Sequence, residues 1–179
     1  QVYRLGDREI DFARLDDVVR ELVPSGPHIH EHANPKIKEI PLKSLHCFAH
    51  VRYDVVRRSY GTLGGGNHFI EVDRDDDGTL YLIIHSGSRR LGRDVASYHK
   101  VQAFFTACGI DPDEAEKKKI RPREVKTNII IGQCFLEGAQ LERYLHDMDI
   151  AVNYASGSRR VMGETIIDAM GLRVDDSFT

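Results

Sequence analysis

Residues 61–72 run Gly-Thr-Leu-Gly-Gly-Gly-Asn-His-Phe-Ile-Glu-Val, a glycine cluster that leads straight into a strand pattern. A second strand pattern follows and ends at His85-Ser86-Gly87-Ser88-Arg89. Three successive glycines cost folding entropy that an ordinary connection does not need, so they belong where backbone must approach a ligand closely. Residues 68–74 carry Phe69, Ile70 and Val72 and read as one strand. Asp75-Asp76-Asp77-Gly78 is turn chemistry, with Asp at the early positions and Gly supplying positive φ. Residues 79–85 are apolar on both faces and read as a central, buried strand. The two strands form a β-hairpin.

Register decides what the histidines can do. A loop of two or four residues centred on Asp76 and Asp77 places His68 directly across from His85, with Cβ atoms about 5 Å apart on one face. Imidazoles so placed share a metal ion or flank a metal pair. A three-residue loop ending in Gly78, with a bulge, puts the rings on opposite faces unless a second bulge intervenes. Asp-Asp-Gly suits either loop, and facing imidazoles are the expectation carried forward. Past the second strand, apolar residues at 91, 95, 98, 101 and 105 form a helical stripe. A Ser-Gly-Ser turn before a helix offers free N–H groups to anions, and Arg89 and Arg90 add forked donors suited to phosphate. The competing reading is a plain N-cap with surface arginines.

Gly-Thr-Leu-Gly-x-Gly-Asn-His-Phe-Ile-Glu followed by His-Ser-Gly-Ser-Arg resembles the signature of the RtcB family of RNA ligases. Residues 13–26, ending in Pro24-Ser25-Gly26, resemble the helix after that family's first metal motif, and residues 144–156 resemble its later helix. The resemblance implies an enzyme that joins RNA 3′-phosphate or 2′,3′-cyclic phosphate ends to 5′-hydroxyl ends with GTP and Mn²⁺. A guanylylated histidine carries the nucleotide to the RNA 3′-phosphate, and the 5′-hydroxyl then displaces GMP. It implies that His68 and His85 are Mn²⁺ ligands and that Asn67, His68, Phe69, Ile70 and Glu71 form part of the guanylate pocket. Arg89 is implied as the catalytic phosphate contact. Such chemistry needs positioning and charge neutralisation more than covalent work by the protein.

The sequence departs from that pattern in several places. The Asp-x-Gly-Cys-Gly metal motif is absent ahead of Gln1-Val2-Tyr3, and neither a His-Asn pair nor the guanylylated-His segment follows Thr179. Position 90 is Arg where Gly is common, and Gly157-Ser158 interrupts what is usually a continuous helix. The chain therefore reads as the central portion of a longer ligase, inactive alone and dependent on the remainder of the parent chain.

At 179 residues the chain fits one domain with a real core. Its net charge of −3 argues against a general nucleic-acid binder, so RNA contact falls to local patches: Arg89, Arg90 and Arg93, or the run 117–123. No apolar run approaches the ~18 residues needed to cross a bilayer. Cys47, Cys108 and Cys134 are odd in number and widely spaced, which suits packed thiols in a reducing cytoplasm.

The fold class expected is α+β, a hairpin-containing sheet packed with several helices. A first strand covers residues 2–5; a helix covers 12–22 with Asp11 as N-cap and Leu15, Val18, Val19 and Leu22 buried. Residues 35–60 suggest a second helix or two. A late helix covers 137–156 with apolar positions 141, 145, 148, 152 and 155, then continues over 158–170 with Gly171 as C-cap. His99 and His146 sit on helices and read as structural. His28, His30 and His32 alternate onto one face of an extended segment, a competing site for Zn²⁺ or Ni²⁺. Two other functions stand beside RNA ligation: a non-catalytic ligase-like domain that holds metal or anion, and a metal-dependent phosphoesterase.

Overall fold

The computed structural model, which describes residues 1–178, builds an antiparallel sheet from a short first strand, β1 (Val2–Gly6), and the hairpin β2 (Phe69–Arg74) and β3 (Leu80–His85). A strand not foreseen in the sequence, β4 (Asp176–Phe178), completes the order β2-β3-β1-β4. Five α-helices accompany it: α1 (Phe12–Leu22), α2 (Tyr53–Ser59), α3 (Arg89–Ala107), α4 (Pro112–Lys117) and α5 (Gly138–Met170). The fold is α+β. The chain divides into two compact units, one of residues 1–40, 52–89 and 152 onward, the other of 41–51 and 90–151.

In the first unit, Leu80, Leu82 and Ile84 of β3 point into a core with Tyr3, Leu5, Met162 and Ile166. Alternate residues Tyr81 and Ile83 are half-buried and His85 is exposed. β3 is therefore central, between β2 and β1, but buried on one face only, which corrects the expectation of a strand apolar on both sides. Tyr3 lies against Gly163 so closely that a Cβ there would fall 2.1 Å from the ring. Burial pushes the Tyr3 phenol up to about 12, and its hydroxyl donates to the Arg160 carbonyl at 3.2 Å.

The hairpin loop is set by Asp75. Its Oδ1 accepts the Thr79 and Asp77 N–H groups at 2.8 and 3.1 Å, and its Oδ2 accepts the Tyr81 hydroxyl at 3.0 Å. Asp75 and Thr79 close the loop, leaving Asp76, Asp77 and Gly78 outside, with Gly78 at φ +89°. This is the three-residue alternative. His85 consequently pairs with Phe69, not with His68, and the register expected from a two- or four-residue loop is corrected by one position.

Asp11 caps α1 as expected, accepting the Arg14 N–H at 3.0 Å. Its apolar stripe is shallower than expected: no α1 residue is fully buried, and Leu22 is exposed. Leu15 and Val19 touch the edge of the core without entering it. Helix α5 is continuous through Gly157 and Ser158, where an interruption was expected. A Cβ at Gly157 would fall 2.2 Å from the Tyr60 hydroxyl, and Ser158 Oγ accepts the Gly61 N–H at 2.9 Å. The pair is a notch that receives the segment leading into the glycine cluster. The helix ends at Gly171, φ +64°, as expected.

The second unit has its own apolar cluster of Phe104, Phe105 and Ala115. Helix α4, also unforeseen, begins with Pro112 after an Asp111 cap. In α3 the buried positions are Leu91, Val95, His99, Ala103, Phe104 and Phe105, so the helix face turns slightly from the expected stripe. In α5 the correction is larger: Leu141, Leu145, Met148 and Val152 are exposed, while Asp147, Ile150, Ala151 and Tyr154 are buried.

Gly163→Ala should therefore destabilise the chain by about 1–3 kcal/mol through overpacking. Gly132→Ala, whose Cβ would meet nothing within 4 Å, should change stability by less than about 0.5 kcal/mol. Urea midpoints of the two variants measure the difference, and equal midpoints would contradict the packing described.

Candidate functional site

The Pro24-Ser25-Gly26 turn and the glycine cluster lie side by side as a short parallel pairing. The Leu63 N–H donates to the Pro24 carbonyl at 2.9 Å and the Gly26 N–H to the Gly64 carbonyl at 2.8 Å. Two loops distant in sequence thus share backbone hydrogen bonds, which fixes both. The Ser86 hydroxyl donates to the Leu63 carbonyl at 2.7 Å and ties the end of β3 to the same cluster. Arg159 Nη1 donates to the Ser86 carbonyl at 2.9 Å. Burial lowers the Arg159 pKa from its ordinary value. Nothing in the sequence singled out Arg159, because its role is a backbone contact made from a helix far along the chain.

Gly64, at φ +89°, is where the site is tightest. A Cβ there would fall 1.6 Å from Arg89 Nη1 and 2.7 Å from His68 Nδ1. The glycine cluster was expected to admit a ligand; at position 64 it admits the protein's own guanidinium and imidazole. Arg89 itself has φ +54°, unusual for a residue with a side chain. Its Nη2 donates to the Gly26 carbonyl at 3.0 Å, and burial lowers its pKa, an effect that Tyr154 opposes. Arg89 therefore holds the Pro-Ser-Gly turn as well as opening α3.

His68 sits one residue before β2, outside the regular ladder. That freedom lets its ring come close to His85 although the register does not pair them: the ring centroids are 6.1 Å apart at an interplanar angle of 65°. Phe69, the true cross-strand partner, stacks on His85 at 5.2 Å and 22°. The face carrying Phe69 and His85 is the one turned away from the core, and Asn67 and Glu71 are exposed beside it, with Ile70 half-buried towards the core. His68 Nδ1 and Arg89 Nε are both buried without a hydrogen-bond partner. Buried polar atoms are nearly always satisfied, which makes the space beside Gly64 the candidate place for a further group.

The other candidates do not gather. Among the described residues, His28, His30 and His32 form no ligand cluster; His30 Nε2 lies 3.1 Å from the Gly61 carbonyl, and His28 and His32 are exposed. In the run 117–123, Lys118 pairs with Glu114 and Arg121 with Glu124, which reduces the local positive charge. The cysteines are free, and burial pushes the Cys47 thiol up to about 12, a packed and unreactive group. Among the described residues, no helix is long and apolar enough to cross a membrane.

Gly64→Ala should evict the Arg89 guanidinium and detach the Pro24–Gly26 turn. Amide exchange at Gly26 and Leu63 should then accelerate at least about tenfold, whereas Gly65→Ala, whose Cβ would make only an ordinary contact with Gly26 at 3.6 Å, should leave those amides protected. Equal protection in the two variants would contradict the clamp.

Comparison with known proteins identifies the family. Residues 28–177 match the family described as tRNA-splicing ligase RtcB. The RNA-splicing ligase RtcB of Escherichia coli (strain K12) is 32% identical over 111 residues, covering 62% of this chain and 24% of that protein. The tRNA-splicing ligase RtcB of Methanopyrus kandleri is 26% identical over 141 residues, 68% of this chain and 13% of that protein. The RNA-splicing ligase RtcB homolog 2 of Entamoeba dispar is 27% identical over 118 residues, 58% and 20% respectively. The chain thus spans about a quarter or less of the length of these relatives. A family match across residues 28–177, joined to the glycine cluster and the two clustered imidazoles, places this chain in the RtcB family.

Proposed function

We propose that this chain supplies part of the active centre of an RNA ligase that joins a 3′-phosphate or 2′,3′-cyclic phosphate end to a 5′-hydroxyl end. In this reading His68 and His85 hold Mn²⁺, and residues 67–71 bind the guanylate of GTP. The observation that carries it is the convergence of two imidazoles beside a buried guanidinium, with His68 Nδ1 and Arg89 Nε lacking partners. The donor set fits the metal, because imidazole nitrogen is an accepted ligand for borderline divalent ions. Bound there, the ion neutralises charge on phosphoryl oxygens.

The chain's own groups do the positioning. Arg89 holds the Pro24–Gly26 turn through the Gly26 carbonyl, and its unpartnered Nε keeps a donor for an anionic oxygen. Phe69, stacked on His85, fixes that ring's plane and offers an exposed aromatic surface beside it. Asn67 and Glu71 bring an amide and a carboxylate to the outer face of the hairpin, groups able to read the edge of a purine. In this reading a guanylylated histidine and further metal ligands complete the centre. The relatives' names include tRNA-splicing ligase, so spliced or repaired RNA is the substrate class proposed.

Mn²⁺ titration followed by electron paramagnetic resonance tests the metal assignment. His68→Ala and His85→Ala should each weaken Mn²⁺ binding at least about tenfold, and His30→Ala should leave it unchanged. Retained affinity in both hairpin variants, or its loss in His30→Ala alone, would overturn the assignment. In the complete ligase, the same two hairpin substitutions should abolish joining of the RNA ends.

A further inference from the structure

We propose that His46, His146 and Asp147 form a separate divalent-metal site in the second unit, suited to an ion of the zinc type. A donor atom of each residue lies within 4.8 Å of the others. The imidazoles of His46 and His146 meet edge to face with centroids 5.2 Å apart. None of the three belongs to the hairpin site, whose residues all lie in the first unit.

The cluster is built by backbone. His146 and Asp147 are neighbours on α5, and the turn before the 3₁₀ segment Phe48–His50 brings His46 onto them. The His46 N–H donates to Asp147 Oδ1 at 2.8 Å, and the Cys47 N–H to Oδ2 at 3.0 Å. His99 Nε2 lies 2.9 Å from the same Oδ2, and both side chains are buried. Asp147 is thereby locked in orientation. A carboxylate offers about four lone-pair positions, and with the Cys47 thiol also bonded to Asp147 its oxygens are shared between these partners and any ion.

The His146 imidazole is oriented by backbone as well. His146 Nε2 lies 3.1 Å from the Ser44 carbonyl, a pure acceptor, so Nε2 carries the proton. Nδ1 is then the lone-pair nitrogen, the arrangement by which a second partner orients a metal-binding imidazole. Both rings are exposed, which gives an ion access and lets the rings turn to close around it. Zinc-type bonds to nitrogen and oxygen are about 2.0–2.2 Å long, shorter than the present spacing requires, so binding draws the exposed His46 and His146 rings toward the carboxylate. Two nitrogens and one oxygen suit Zn²⁺, Co²⁺ or Ni²⁺ better than Mg²⁺ or Ca²⁺. Three protein ligands leave a fourth position for water.

The experiment uses the full chain carrying His68→Ala and His85→Ala, so that the hairpin contributes no imidazole. Co²⁺ titration followed by visible absorption should give one bound equivalent, and Zn²⁺ competing with a chromophoric chelator should displace it. Adding His46→Ala or His146→Ala should weaken binding at least about tenfold, with circular dichroism unchanged because both side chains are exposed. Absence of Co²⁺ binding in the hairpin-deleted background, or undiminished binding after loss of His46 and His146, would overturn the proposal. Either result leaves the Mn²⁺ assignment at the hairpin standing on its own test.

Discussion

The missing side chain at Gly64 lets a guanidinium, an imidazole and two loops occupy the same few ångströms. Every part of the hairpin site refers to that point: the Gly64 carbonyl accepts from Gly26, and the Gly26 carbonyl in turn accepts from Arg89. Ser86 anchors to Leu63, and Arg159 to Ser86. The left-handed backbone at Arg89 costs on the order of 1–2 kcal/mol. The guanidinium's hydrogen bond to the Gly26 carbonyl offsets that cost.

Much of the local structure was legible because short-range chemistry decides it. Asp11 caps the first helix, Gly171 ends the last, and the Asp-rich turn makes a hairpin. The register was not legible, since Asp-Asp-Gly suits more than one loop. The choice falls to hydrogen bonds that Asp75 makes with Thr79, Asp77 and Tyr81. The imidazoles nevertheless approach each other, because His68 lies just outside the ladder and escapes its alternation.

Helix α5 shows the opposite failure. Its apolar positions 141, 145, 148 and 152 promise a buried stripe, yet they are exposed, and the buried side carries Asp147 and Ser158. Hydrophobic periodicity assumes that polar residues face water. Asp147 takes two backbone N–H groups and lies against an imidazole, and Ser158 takes the Gly61 N–H. Their burial is tolerated because each is satisfied. Gly157 likewise marks a close contact with Tyr60 where the sequence suggested a break. In each case the deciding partner lies far along the chain, where composition and spacing carry no signal.

The two proposed sites differ in how they balance charge, and that difference bears on what each would bind. At the hairpin, two imidazoles and a guanidinium bring no negative charge and Glu71 lies exposed beside them, so a divalent ion held by the imidazoles adds positive charge to the site. It is held well only when an anion shares the site. A nucleotide phosphate or an RNA 3′-phosphate is such an anion, which makes metal and substrate mutually supporting in the ligase reading. At His46 and His146 the compensating charge is built in, as the buried Asp147 carboxylate. One carboxylate offsets half the charge of a divalent ion there, without any anionic substrate. The hairpin's charge therefore favours chemistry on phosphate, and the second site's charge favours a resident ion that stabilises the turn around His46.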